Sequence, residues 1–290
     1  MTPGSLGAAL RAARSRLVQA LGLDPSVAGL EAQMLLGHVL ARPRAYLLAH
    51  PEAALTDADQ AQFDTLLTRR EHGEPIAYIL GEREFFGLTL RVTPEVLIPR
   101  PDTELLVALA LTLIPEGTTW EVLDLGTGSG AVAIAIAKQR PKAHVIAIDQ
   151  SGEALVVARD NAHRHGATNL QFLQGDWFAP LGMGARFDVI VGNPPYIAEG
   201  DAHLFQGDLR FEPKAALASG AEGLDAIRAI ASKAAQHMTP SGWLLLEHGF
   251  EQGAACRKIL AEQDFQGIYS HCDLAGHERV TAGRLVGTQP

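Results

Sequence analysis

A chain of 290 residues has room for one large domain, or for a medium domain with a smaller companion, and an apolar fraction of 47% is ample for a real core. No apolar run approaches the roughly 18–20 residues that a bilayer span needs, and the opening residues MTPGSLGAALRAAR lack a signal core, so a cytoplasmic protein without membrane attachment is expected. A formal charge of −9 argues against a protein that neutralises many phosphates of DNA or RNA, although a local basic patch stays open.

Residues 1 to about 75 read as a helical domain. Leu6, Leu10, Leu17 and Leu21 recur at helical intervals, as do Leu30, Met34, Leu35, Val39 and Leu40. A third helix is expected from Thr56 to about His72, opened by the cap-like Thr-Asp-Ala-Asp. Such a region serves either as a stabilising appendage or as a substrate-docking domain; the second is the expectation taken forward. Residues 76–100 change character, and alternating apolar residues around Gly81 and Gly87 suggest a short hairpin bridging two domains. Pro94, Pro99 and Pro101 then interrupt regular structure.

From 101 to 290 strands and helices alternate. EVLDLG leads to the helix AVAIAIAKQ, HVIAID to EALVVARDNAHRHG, and LQFLQGD and FDVIVGN follow. Helices are expected near 223–238 and 251–263 around the strand GWLLLEHG, before the strands FQGIYSHCD and ERVTAGRLV. The pattern predicts an α/β fold, a doubly wound parallel sheet covered on both faces. The last two strands lack an intervening helix, which predicts an antiparallel hairpin at one edge. Cys256 and Cys272 have neither metal-ligand spacing nor company and read as isolated thiols.

In VLDLGTGSGAVAIAIA, Gly126, Gly128 and Gly130 lie between a buried strand and a helix, where they permit a tight turn and close approach of a ligand to backbone. Nineteen residues after Gly130 the next strand ends at Asp149, whose carboxylate can accept hydrogen bonds from two ribose hydroxyls. A nucleoside-containing cofactor is expected, and NAD and S-adenosylmethionine both answer that description. The spacing G-x-G-x-G preceded by Asp124 resembles the D-x-G-x-G-x-G signature of seven-stranded, Rossmann-like class I methyltransferases that use S-adenosylmethionine. It is less similar to a dehydrogenase fingerprint. That resemblance implies that LQGDWF flanks the adenine, with Asp176 on its amino group and Trp177 against its face; a simple cap on the sheet is the alternative.

FDVIVGN runs into Asn193-Pro194-Pro195-Tyr196. At the end of the fourth strand of such a sheet, this segment lies beside the topological switch point where ligands bind. Two prolines hold the backbone open, so that the Pro194 carbonyl is free of the ladder and pairs with the Asn193 side-chain oxygen as two fixed acceptors. Tyr196 can stack on a planar group. Two acceptors and a flat wall suit a planar –NH2, and a hydroxyl nucleophile would leave one acceptor unpaired. A rigid turn bearing a surface tyrosine is the plainer alternative.

The tetrapeptide is shared by DNA adenine-N6 methyltransferases and by enzymes that methylate protein glutamine. The chain as a whole resembles the second group, the release factor glutamine methyltransferase (PrmC/HemK) family, through GEREFFGL at 81–88, LIPRPDTE at 97–104, DLGTGSGA at 124–131 and GNPPYI at 192–197. Further matches are ALASGAEGLD at 216–225, LLLEHGFEQ at 244–252 and DLAGHERV at 273–280. The resemblance implies methylation, from S-adenosylmethionine, of the glutamine in the Gly-Gly-Gln loop of peptide chain release factors. It implies that Gly126, Thr127, Gly128, Ser129, Gly130, Asp149, Trp177 and Asn193 line the cofactor site. Asn193, Pro194, Pro195 and Tyr196 would hold the glutamine amide, with Asn193, Pro194 and Tyr196 serving catalysis. The helical domain and hairpin would dock the protein substrate.

Phe86 stands where tryptophan is expected in many relatives. Arg100 either closes the cofactor or substrate entrance or forms an interdomain ion pair, and Glu247 either touches substrate or is structural. His163 and His165 do not share a helix face, and neighbours in His271-Cys272-Asp273 alternate faces, so no metal is expected. The alternatives are a glutamine methyltransferase of a large-subunit ribosomal protein and a DNA adenine-N6 methyltransferase. The latter would need a basic groove and a target-recognition region, and neither is visible.

Overall fold

Capping chemistry sets the first elements in the computed structural model, which describes residues 4–286. Ser5 accepts from the Ala8 amide to open α1 (Leu6–Leu21), and Asp24 with Pro25 opens α2 (Pro25–Leu40). After α3 (Arg44–Ala49), Thr56 accepts from the Asp59 amide at the start of α4 (Asp57–Glu71). The unit ending at Gly81 closes with α5 (Ile76–Leu80). Leu6, Leu17, Leu35, Leu36, Phe63 and Leu67 form its core, and a buried Arg70–Glu31 pair at 2.8 Å braces α4 against α2. Leu30 and Met34, part of the periodicity read for α2, lie instead on its exposed side.

The second unit begins at Glu82. Strands β1 (Glu82–Phe85) and β2 (Leu88–Arg91) pair antiparallel around Phe86-Gly87, both with positive φ, the geometry of a two-residue hairpin turn. The hairpin is therefore shorter than 76–100: residues 76–80 are helical, and Gly81 ends that helix rather than turning a strand. Asn161 pins the hairpin, accepting from the Arg91 amide at 2.7 Å and donating to the Arg91 and Ser129 carbonyls at 2.9 Å each.

Seven strands form the sheet: β3 (Glu121–Leu125), β4 (His144–Asp149), β5 (Leu170–Gln174), β6 (Phe187–Gly192), β7 (Met238–Glu247), β8 (Phe265–Cys272) and β9 (Glu278–Leu285). Their order is β5-β4-β3-β6-β7-β9-β8; the first five are parallel, β9 runs antiparallel to β7, and β8 pairs with β9 at the edge. The expected edge hairpin is present. The strands read as continuous apolar runs because both faces are buried. Val122, Val189, Val191 and Leu245 face one core with α6 (Glu104–Leu113) and α7 (Ala131–Gln139). The alternating Leu123, Ile190, Leu244 and Leu246 face the other, with α9 (Asp225–Ala234) and α10 (Gly253–Ala261). Helix α8 (Gly152–His165) follows β4. The crossover direction reverses between β3 and its neighbours β4 and β6, which opens a crevice at their carboxyl ends.

Candidate active site at the carboxyl ends of β3, β4 and β6

The glycine loop is wired to β4. The Gly126 and Thr127 amides donate to the Ile148 carbonyl at 2.9 and 3.0 Å, and the Gly128 amide donates to Asp149 Oδ2 at 2.8 Å. Ser151 N–H reaches the other carboxylate oxygen at 2.9 Å. Burial raises the Asp149 pKa, and these amides oppose the rise. Beneath the loop, Thr127 Oγ1 donates to Asp124 Oδ2 at 2.6 Å; burial pushes the Asp124 carboxyl up to about 7, with nearby Asp149 adding to the shift.

A solvent-open cleft of about 260 Å³ brings Gly126, Gly128, Asp149, Asp176, Trp177, Asn193 and Pro195 together. Trp177 adopts φ +47°, an unfavourable backbone for a bulky residue, and its ring lies 3.5 Å from where a side chain on Gly126 would begin. Asp176 is exposed at the rim. Thr127 and Ser129 line an adjoining recess with Gly126, Gly128, Arg100 and Asn193. Gly130 lines neither space: an added Cβ would meet Ile134 Cδ1 at 2.9 Å and Ala158 Cβ at 3.2 Å, so its absence permits α7 to pack on α8. The cleft fits a nucleoside cofactor. It combines an acceptor carboxylate with free lone pairs, an approachable backbone and an aromatic wall.

Beyond β6, Asn193 is half-buried and donates from Nδ2 to Thr103 Oγ1 at 3.2 Å. No donor among the described residues reaches Asn193 Oδ1 or the Pro194 carbonyl. Pro194 is buried and Tyr196 half-buried. The Tyr196 hydroxyl points to Glu247 Oε1 at 3.5 Å, and burial raises its phenol pKa, with the Glu247 charge adding to the rise. Gln252 fastens the segment from behind: its Nε2 donates to the carbonyls of Tyr196 (3.0 Å), Glu222 (3.2 Å) and Gly223 (3.3 Å), and its Oε1 accepts from the Gly249 amide at 2.9 Å.

Arg100 pairs with Glu212, whose side chain is fully buried and whose Oε2 also accepts from the Ile98 amide at 2.9 Å. Both partners belong to the second unit, so this is no pair between the units. It ties the segments flanking Leu97 and Pro213, two walls of the cleft. Sequence reasoning missed Thr103, Glu212, Gly223 and Gln252 as supports, although all but Glu212 lie inside the family-like segments.

A doubly wound seven-stranded sheet with this cleft defines a class I methyltransferase, and the sequence profile of the methyltransferase domain matches residues 118–248. The profile of the PrmC N-terminal domain matches residues 8–81. A release factor glutamine methyltransferase from Vibrio cholerae is 50% identical over 282 residues, covering 97% of this chain and 96% of the relative. One from Bordetella pertussis is 49% identical over 269 residues, covering 93% and 99%. The chain belongs to the release factor glutamine methyltransferase family. In fold it is also similar to the Thermus thermophilus 16S rRNA N2 G1207 methyltransferase solved with AdoMet and guanosine (TM-score 0.53, 23% identity, 70% of this chain and 49% of that one).

Proposed function

We propose that this chain transfers a methyl group from S-adenosylmethionine to the side-chain amide nitrogen (N5) of the glutamine in the Gly-Gly-Gln motif of peptide chain release factors, acting in the cytoplasm to modulate translation termination. The observation that carries the reading is the pair of unclaimed acceptors, Asn193 Oδ1 and the Pro194 carbonyl, beside the cleft formed by the glycine loop and Asp149. When bound, S-adenosylmethionine supplies an electrophilic methyl group on its sulfonium. Asp149 would hold the ribose hydroxyls, the Gly126–Gly128 backbone would receive the amino-acid portion, and Trp177 would cover the adenine.

The residues of the chain then act on the acceptor. An amide nitrogen is a poor nucleophile because its lone pair is delocalised into the carbonyl. Asn193 Oδ1 and the Pro194 carbonyl accept one N–H each, which returns electron density to nitrogen and fixes its direction toward the methyl carbon. On methylation the nitrogen would give up one N–H proton to solvent, while Asn193 and the Pro194 carbonyl keep it oriented. Pro195, which lines the cleft, would be the wall that aligns the amide, with Tyr196 following it. The helical unit and the hairpin would dock the release factor, and no nucleic-acid substrate is required.

Mass spectrometry of release factor incubated with the protein and labelled S-adenosylmethionine should place the methyl group on that glutamine. Label found instead in a large-subunit ribosomal protein or in DNA would overturn the substrate assignment.

A further inference from the structure

Glu247 ends β7 beneath the Asn193–Tyr196 segment and is 1% exposed. Two hydroxyls influence its carboxylate, and one of them, that of Tyr196, lies within hydrogen-bond distance. Tyr196 lies 3.5 Å from Oε1, and Thr103 favours the ionised form. The second oxygen, Oε2, is buried without a hydrogen-bond partner. An acceptor left in that state costs stability and calls for an explanation outside packing. Thr103 supplies one. Its Oγ1 accepts from Asn193 Nδ2, and no acceptor among the described residues takes its own proton in a full hydrogen bond.

An asparagine amide is nearly the same size at both ends, so its neighbours decide which end faces the cleft. An ionised carboxylate can only accept. A hydroxyl turned toward it must donate, and that hydroxyl can then only accept from Asn193. Nδ2 is thereby drawn inward and Oδ1 left facing the cleft. Without the carboxylate, Thr103 is free to donate to Asn193 Oδ1. The amide then turns over and presents N–H groups to a substrate that is itself an N–H donor.

We infer that Glu247 is a positioning residue: through Thr103 it sets which end of the Asn193 amide meets the substrate, and through the Tyr196 hydroxyl it holds the ring beside the same group. The inference rests on the acceptor role proposed for Asn193. The groups facing Glu247 are Thr103 and Asp102 from the turn before α6, Tyr196 after β6, and Arg279 on β9. Arg279 is itself paired with Asp102 at 2.9 Å and Asp273 at 3.0 Å. Burial, with Asp102 adding to it and Thr103, Arg279 and Tyr196 opposing, pushes the Glu247 carboxyl up to about 7. A proton on Glu247 gives it a donor of its own and removes the constraint on Thr103. Turnover therefore falls as pH drops through about 7.

The test is kcat and KM for methylation of intact release factor at saturating S-adenosylmethionine, on both sides of that pH, for wild type, Glu247→Gln, Thr103→Val and the double variant. Each single variant should lower kcat roughly 10-fold or more with KM and cofactor Kd little changed. Glu247→Gln should abolish the acid limb, and the double variant should be no slower than the slower single, because both break one chain. Wild-type kcat in either single variant, persistence of the acid limb in Glu247→Gln, or additive losses would overturn the inference. Should Glu247→Gln not fold, Thr103→Val carries the test alone. Asn193→Ala in the same assay separates the two claims. If it stays active, the acceptor reading itself fails; if it collapses while Glu247→Gln and Thr103→Val do not, the positioning role alone falls.

Discussion

Replacing Gly223 by alanine tests how rigidly the Asn193–Tyr196 segment must be held. Gly223 has φ +72°, and a Cβ there would lie 2.1 Å from the Tyr196 carbonyl oxygen and 2.8 Å from its carbon. Neither is a flexible side-chain end, so the Tyr196 backbone must retreat by about 1 Å to restore ordinary contact, and a displacement of that size near reacting groups costs about 100-fold in rate. The left-handed backbone adds about 1–2 kcal/mol of strain for alanine. Gln252 Nε2, which bonds both carbonyls, loses its geometry at the same time. Gly117, with φ +76° and nothing within 4 Å of its missing side chain, isolates the strain from the clash. We expect Gly223→Ala to lower kcat about 100-fold with cofactor Kd, measured by calorimetry, near wild type. Gly117→Ala should lose Tm but keep its turnover. Wild-type turnover in Gly223→Ala, or an equal loss in Gly117→Ala, would show that the close approach of Gly223 to Tyr196 does not hold the segment.

Gln252→Ala removes one side-chain N–H2 shared among three carbonyls and should cost about 1–3 kcal/mol of stability by denaturant titration, together with a fall in kcat. Arg100→Ala leaves the buried Glu212 carboxylate without its cation; roughly 2–4 kcal/mol is expected, less than for a fully enclosed pair because Arg100 keeps a third of its side chain in water. Glu247→Gln should be slower yet more stable at alkaline pH. The carboxyl lies at about 7 in the fold against 4.5 ordinarily, so its contribution is complete below about 4.5 and lost as pH rises through about 7. Above that pH ionisation opposes folding by on the order of 3 kcal/mol, which glutamine removes, and thermal melts at two pH values should show it.

The sheet was legible because its strands carry apolar residues at successive positions. Val122 and Leu123, or Leu244 and Leu245, can both be buried when helices cover both faces. The cleft was legible for a related reason: in this topology Gly126, Asp149, Trp177 and Asn193 each fall at a strand's carboxyl end, so their positions follow from strand order. The supporting shell was not. Thr103, Gln252 and Glu212 act across 90, 56 and 112 residues of sequence, through hydrogen bonds that depend on how loops close over the sheet. No local period encodes them. Gly130 shows the converse: it belongs to a recognisable cofactor signature, yet its requirement comes from the packing of α7 on α8. At the hairpin, Gly81 and Gly87 carried the same local signal, and only the structure separates a helix end from a turn.

In the proposed reaction Asn193 supplies an acceptor to the substrate amide and does not merely shape the cofactor cleft. Single-turnover methyl transfer by Asn193→Ala, with S-adenosylmethionine affinity measured on the same preparation, tests it most directly. A rate loss on the order of 10²–10³-fold is expected, with cofactor Kd nearly unchanged. Transfer at the wild-type rate, or a loss explained wholly by weaker cofactor binding, would contradict it.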